Sequence, residues 1–170
     1  MNNKTLRIAT ACAALLAATA SYAQTLNKGD QRILADLAQA NMSEVATGNI
    51  ALQKATRQDV KAFAQQMVDD HTKGLQEVQT VAQSKNFTLP TEPDAKHKKM
   101  AADLDKLSGE AFDKAYLANA GVKDHKEAMK KVTDAQKKAT DPDVKALAAK
   151  LHPTIDEHLK KVQAMPASLR

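Results

Sequence analysis

The chain contains five histidines, His71, His97, His125, His152 and His158, and three of them stand where a helix would carry an apolar residue. At 100° per residue, His71 falls four positions from both Met67 and Leu75. His125 lies between Val122 and Met129, and His158 between Ile155 and Val162. An earlier apolar stripe is interrupted in the same way by Asn41 at its centre and Glu44 toward its edge. His152 sits at the margin of its stripe, and His97 belongs to a basic segment, Lys96-His97-Lys98-Lys99. Neutral imidazole offers a lone pair to a transition metal, so three imidazoles pointed at one place define a metal site.

Helices must do the pointing. Leu34, Leu37, Ala38, Val45, Ala51 and Leu52 mark a first helix over about Asp30–Lys54. Thr56-Arg57-Gln58-Asp59 resembles a capping box and opens a second helix running to about Lys85. That helix carries Val60, Phe63, Ala64, Met67, Leu75, Val78 and Ala82 on one face. Pro90 and Pro93 make Asn86 to Asp94 a loop, and a short helix follows over Ala95 to Leu107, stopped by Ser108-Gly109. A third long helix spans about Glu110–Lys138, with Phe112, Tyr116, Val122, Met129 and Val132 inward. Asp141-Pro142 restarts the chain, since Asp caps and Pro fits a first turn. The last helix carries Val144, Leu147, Leu151, Ile155, Leu159 and Val162, with Pro153 expected to bend it.

Four amphipathic helices of this length bury their stripes against one another, which predicts an all-α four-helix bundle with a short extra helix in the middle connection. Phe63, Leu75, Leu151 and Leu159 are expected in its core. The long middle connection can run back along the bundle and give the ferritin-type order, with a plain up-down order as the alternative left open. His125 and His158 lie almost equally far from the Asp141-Pro142 turn, and Asn41, Glu44 and His71 are similarly spaced about Thr56. All five therefore fit one layer within about one helical turn. Glu44, His71, His125 and His158 are the candidate metal ligands. Asn41, Asp70, Asp124 and Glu157 are candidates to orient them, since each of these three acids directly precedes a histidine. Neighbouring residues diverge by 100°, so such an acid would serve a histidine on an adjacent helix; the alternative is that they are surface acids.

Di-iron carboxylate bundles use Glu-x-x-His pairs, but Val68, Val122 and Ile155 occupy the positions three before the histidines. A histidine-rich site with at most one carboxylate suits zinc, copper or mononuclear iron instead. Met67 and Met129 offer thioethers to a copper site or simply fill the core. The competing reading is a structural or envelope-stress/interaction bundle without metal, whose histidines form a hydrogen-bonded core layer. No catalytic residue is assigned, and the reading leans away from an enzyme.

The first 23 residues read as a cleavable signal peptide. Lys4 and Arg7 precede an apolar run from Ile8 to Ala20, and Ser21-Tyr22-Ala23 supplies the small residues a signal peptidase reads. Cleavage is expected before Gln24, leaving 24–170 as one domain in the periplasm. It removes Cys12, the single cysteine, and with it any disulfide or thiolate chemistry. The chain carries 25 basic and 20 acidic residues, interspersed. Its lysine clusters read as solvated faces, so no nucleic-acid partner is expected. No transmembrane segment is expected in the mature chain, and outer-membrane or envelope association is a possible role.

Beyond single residues, an Asn-containing first helix with Glu44 is followed by Val60-Lys61-Ala62-Phe63-Ala64-Gln65-Gln66-Met67-Val68-Asp69-Asp70-His71. Phe112-Asp113-Lys114-Ala115-Tyr116, His125, Asp141-Pro142-Asp143-Val144-Lys145 and His158-Leu159 continue the pattern. Together these resemble a bacterial family of exported ferritin-like proteins described as a domain of unknown function or as predicted outer membrane proteins. The resemblance covers the whole mature chain and implies a ferritin-like bundle outside the cytoplasm, with no established activity. His152 stands where similar chains often have Leu.

Overall fold

The computed structural model describes residues 25–166; the leader and the expected cleavage point before Gln24 lie outside the described residues. The helices are α1 (Lys28–Lys54), α2 (Gln58–Ser84), α3 (Ala95–Asp105), α4 (Gly109–Tyr116), α5 (His125–Lys138) and α6 (Pro142–Ala164). A π-helical segment, Leu117–Asp124, joins α4 to α5, so that the three form one rod. With α1, α2 and α6 this rod makes a ferritin-like four-helix bundle, and α3 packs beside α1.

Hydrogen bonds at the bundle ends fix the helix order. Asp113, buried in α4, accepts from Thr56 N (3.1 Å), Thr56 Oγ1 (2.6 Å) and Arg57 N (3.2 Å) at the α1–α2 turn. At the opposite end Asp30 of α1 accepts from Thr140 N (3.1 Å), Thr140 Oγ1 (2.6 Å) and Asp141 N (3.0 Å) at the α5–α6 turn. The start of α4 therefore sits beside the end of α1. The middle connection returns along the bundle, which is the ferritin-type order.

The two clamps are matched because the two hairpins repeat in sequence. Lys54-Ala55-Thr56-Arg57-Gln58-Asp59-Val60-Lys61-Ala62-Phe63-Ala64 aligns with Lys138-Ala139-Thr140-Asp141-Pro142-Asp143-Val144-Lys145-Ala146-Leu147-Ala148. The same register continues through Leu75, Val78 and Gln79 against Leu159, Val162 and Gln163. Asp30 and Asp113 pair one position short of it, so the rod α4–α5 carries one extra residue ahead of His125. The π-helical segment, whose wider turn takes additional residues, absorbs it.

Several local expectations change. Thr56 does not cap α2; its hydroxyl donates to Asp113, and the helix begins after Arg57, which provides no side-chain cap. Asp141 does cap α6, accepting from Asp143 N (2.9 Å) and Val144 N (3.2 Å). Pro153 lies on the exposed side, and α6 runs through it unbroken. Phe63 and Leu151 are core residues, whereas Leu75 and Leu159 are only half-buried at its margins. Val122 and Met129 are half-buried as well, because the π-helical turn carries Leu117, Ala120, Gly121 and Asp124 inward.

The core has two apolar ends. One gathers Phe63, Met67, Phe112, Tyr116 and Val162; the other gathers Leu34, Leu37, Val78, Leu147 and Ile155. Between them lies a polar layer of Asn41, Glu44, His71, Asp124, His125 and His158, all buried. Among the described residues no helix is long and apolar enough to cross a membrane.

Candidate metal centre

His71 from α2, His125 from the start of α5 and His158 from α6 meet in this layer, each with one ring nitrogen within 4.8 Å of the others. His71 Nε2 stands 3.4 Å from His125 Nε2, which stands 3.3 Å from His158 Nδ1. The ring centroids lie 5.2–5.4 Å apart, tilted or edge-on rather than stacked.

The outward nitrogen of each ring decides which way its lone pair points. His71 Nδ1 lies 3.0 Å from Asn41 Oδ1. The Asn41 amide is oriented by its own donation to Leu37 O at 2.8 Å, so its oxygen faces the ring. A carbonyl oxygen only accepts, so the proton of His71 is on Nδ1. His125 Nδ1 donates to the backbone carbonyl of Ala120 at 2.8 Å. That carbonyl lies five residues back, inside the π-helical segment, where the wider turn brings it under the ring. His158 Nε2 donates to Asp70 Oδ2 at 3.0 Å. All three outward nitrogens thus carry hydrogen, and His71 Nε2, His125 Nε2 and His158 Nδ1 turn unprotonated lone pairs toward one another.

Electrostatics keep the rings neutral. Burial pushes His71 well below the usual imidazole range, and the neighbouring His125 and His158 push it further. Burial likewise lowers His125 to about 4, against the smaller opposing effect of the Ala120 carbonyl. It lowers His158 too, although the Asp70 carboxylate opposes it. Burial raises Asp70, but the hydrogen bond from His158 and neighbouring charges outweigh it, leaving a carboxylate below its ordinary value.

The remaining candidates are placed as follows. Asn41 and Asp70 touch ring nitrogens of histidines on other helices. Glu44 is buried beside the outward edge of His125, its Oε1 3.5 Å from Nδ1, and is not among the three converging atoms. Burial, then the charge of Asp124, holds Glu44 well above the usual carboxylate range. Asp124 faces α3 rather than a converging histidine, with Oδ2 4.0 Å from His97 Nε2 and Oδ1 3.9 Å from Lys96 Nζ. Glu157 is exposed. Met67 is buried in the first apolar cluster and Met129 packs against the second.

Three features of the site escaped sequence reasoning. The Ala120 carbonyl depends on a π-helical turn whose only sequence trace is the one-residue slip between the repeated hairpins. His97 is 5% exposed, not a solvent-facing member of a basic helix. Gly74 leaves room for the Asn41 amide: a Cβ there would lie 2.5 Å from Asn41 Oδ1.

The chain belongs to the family described as domain of unknown function DUF4142, whose model matches residues 15–165. Its fold is similar to that of a DUF305 fragment from Deinococcus radiodurans, at 13% identity and a TM-score of 0.71, over 82% of this chain and 95% of that one. A protein assigned as a spore coat protein from Bacillus halodurans is also similar, at 12% identity and a TM-score of 0.66, over 82% of this chain and 87% of that one. At such identities the likeness concerns the fold. Comparison with curated proteins gives no match.

Proposed function

We propose that this DUF4142 domain binds a transition metal ion at His71, His125 and His158. The observation that carries the reading is the convergence of three lone pairs whose rings each spend their only proton on an outward acceptor. A histidine layer held by its own hydrogen bonds would need a proton on an inward nitrogen. With the outward sites already protonated, that proton would create a buried imidazolium, which desolvation disfavours. A cation between the rings removes the conflict. A metal bound at about 2.0–2.1 Å to tetrahedrally arranged nitrogens sets them about 3.3–3.4 Å apart, and two of the three edges here are 3.4 and 3.3 Å. An all-imidazole set at this spacing suits zinc best, with copper and iron as competitors. Asn41, Ala120 and Asp70 orient the rings as outer partners do at known metal sites.

The basic, apolar and small-residue segments of positions 1–23 support export, and we place the protein in the periplasm, with Gln24 as its first residue. Intact mass of untagged protein recovered from that compartment tests the processing, and elemental analysis of the same protein tests the metal. Stoichiometric metal in the wild type, lost in His125→Ala and kept in His152→Ala, is the expected result. Absence of zinc, copper and iron from folded wild type, before and after incubation with each ion, overturns the metal reading. It would leave the polar layer as a device for holding helix register.

A further inference from the structure

Three protein nitrogens leave a tetrahedral ion one position short, and a metal site with an open position takes an exogenous ligand. A cavity of about 170 Å³ adjoins the histidine layer, and both His71 and His125 line it. The repeated hairpins explain the space. Their register pairs His125 with Asn41, His158 with Gly74 and His71 with Ile155. All three partners, Asn41, Gly74 and Ile155, line the cavity. Ala40 and Ala128 line it too, in the register positions of Asp124 and Glu44. Each imidazole or carboxyl of this level thus has an uncharged, smaller or apolar register partner at the cavity wall, and both hairpins contribute to each set.

We propose that this cavity holds a small Lewis base as a fourth ligand to the ion, an inference that rests on the metal reading above. Its size sets the upper limit, since an apolar cavity of about 150 Å³ takes a benzene-sized guest. Its walls supply a second contact. Glu44 is among the residues lining the cavity, and its Oε2 is buried without a hydrogen-bond partner. The lysines at the mouth are balanced by acids, Lys73 with Asp70 at 3.7 Å, Lys131 with Glu127 at 3.5 Å and Lys150 with Glu77 at 2.8 Å. No excess of positive charge selects a multiply charged anion. The ligand is therefore an uncharged or singly charged base of about six non-hydrogen atoms or fewer, able to hydrogen-bond to Glu44.

Cobalt(II) in place of the native ion gives visible absorption that reports its coordination, and azide and imidazole serve as probes. The expected result is one cobalt per chain and bands that shift saturably with either base while the cobalt stays bound through gel filtration. Ala128→Leu and Ala40→Leu fill the cavity from two different helices and leave the histidines intact. Each is expected to bind cobalt and to weaken the response to base at least tenfold, and either folded variant suffices for the comparison. Cobalt bound with bands that neither base moves, cobalt stripped by the base, or an undiminished response in the filled variants overturns the fourth-ligand proposal alone. Failure of the wild type to bind cobalt at all brings down the metal reading, and this proposal with it.

Discussion

Metal retention in acid is the sharpest test of how burial has tuned the histidines. An imidazole at its ordinary value near 6.5 is mostly protonated at pH 5, and proton competition then weakens a metal about 30-fold per ligand. Three such ligands, already slightly protonated at pH 7, would lose a factor of about 1.5 × 10⁴ between pH 7 and pH 5. His125 is lowered to about 4 by burial, so at pH 5 it costs a factor of only about 1.1. His71 is pushed well below its ordinary range by the same cause and by its two neighbours, so it too costs less than an ordinary imidazole. His158 is also lowered but is held up by Asp70, so most of the loss falls on it. The whole decrease from pH 7 to pH 5 then falls well short of that factor, and release moves below pH 5. Competition for zinc against a chromophoric chelator, corrected for the chelator's own protonation, measures this at pH 7, 6, 5 and 4. A decrease of about 10⁴ with uptake of three protons above pH 5 would refute the reasoning. The metal-free protein gives the matching sign. A histidine neutral in the fold and protonated when unfolded makes unfolding take up a proton, so stability falls as pH drops from 6.5 toward 4. His125 alone contributes about 3 kcal/mol across that window. Glu44, whose carboxyl burial raises in the fold, opposes it, because its contribution is lost as pH rises above the ordinary carboxyl range.

Replacing Asp70 with Leu removes the acceptor of His158 Nε2 and is expected to cost about 10–100-fold in metal affinity. Asp70→Asn keeps an acceptor oxygen and should recover most of that loss, and equal affinities for the two in a chelator competition would argue against orientation as the role of Asp70. Gly74→Ala puts a methyl 2.5 Å from Asn41 Oδ1; the amide must leave His71, so metal affinity should fall by a comparable factor, as isothermal titration would show. Asp113→Ala strips the acceptor from two backbone N–H groups and one hydroxyl. It should destabilise the bundle by about 2–3 kcal/mol in urea unfolding, with little change in metal affinity for the protein that remains folded.

Most of the bundle was legible because helical periodicity survives in any well-buried stripe. The Met67–His71–Leu75 and Ile155–His158–Val162 spacings placed two rings inside, and the turns at Thr56 and Asp141 placed them at one height. What the wheel could not supply was orientation within the layer. It put Glu44 inward without showing that its carboxyl lies behind His125 rather than at the centre. It put Asp70, Asp124 and Glu157 on equal footing, although one bonds His158, one turns toward α3 and one is exposed. A single residue spans about 100° of helix surface, and a ligand and its supporting partner differ by less than that. The Thr56 capping box failed for a different reason. Tertiary contact with Asp113 offered its hydroxyl and the adjacent amides a fully buried carboxylate, which local capping could not match.

The repeated hairpins separate what holds this fold from what makes it chemical. An Ala-Thr pair, Ala55-Thr56 or Ala139-Thr140, occurs at each turn, and each threonine is clamped by a buried aspartate, Asp113 of α4 or Asp30 of α1, from the other hairpin. These residues serve the same geometry twice, so both copies keep them. The metal candidates do the reverse: His125 faces Asn41 in register, His158 faces Gly74, and His71 faces Ile155. If the polar layer existed only to fix register, the near-twofold arrangement would call for similar groups in both halves. Instead, in each register pair one residue is an imidazole or carboxyl and the other is Asn41, Gly74, Ile155, Ala40 or Ala128, and the Asn41 amide supports the ring of His71. Asymmetry imposed on a symmetric frame, at the one level where nitrogen lone pairs meet a cavity, is the arrangement a bound ion with an outside ligand requires.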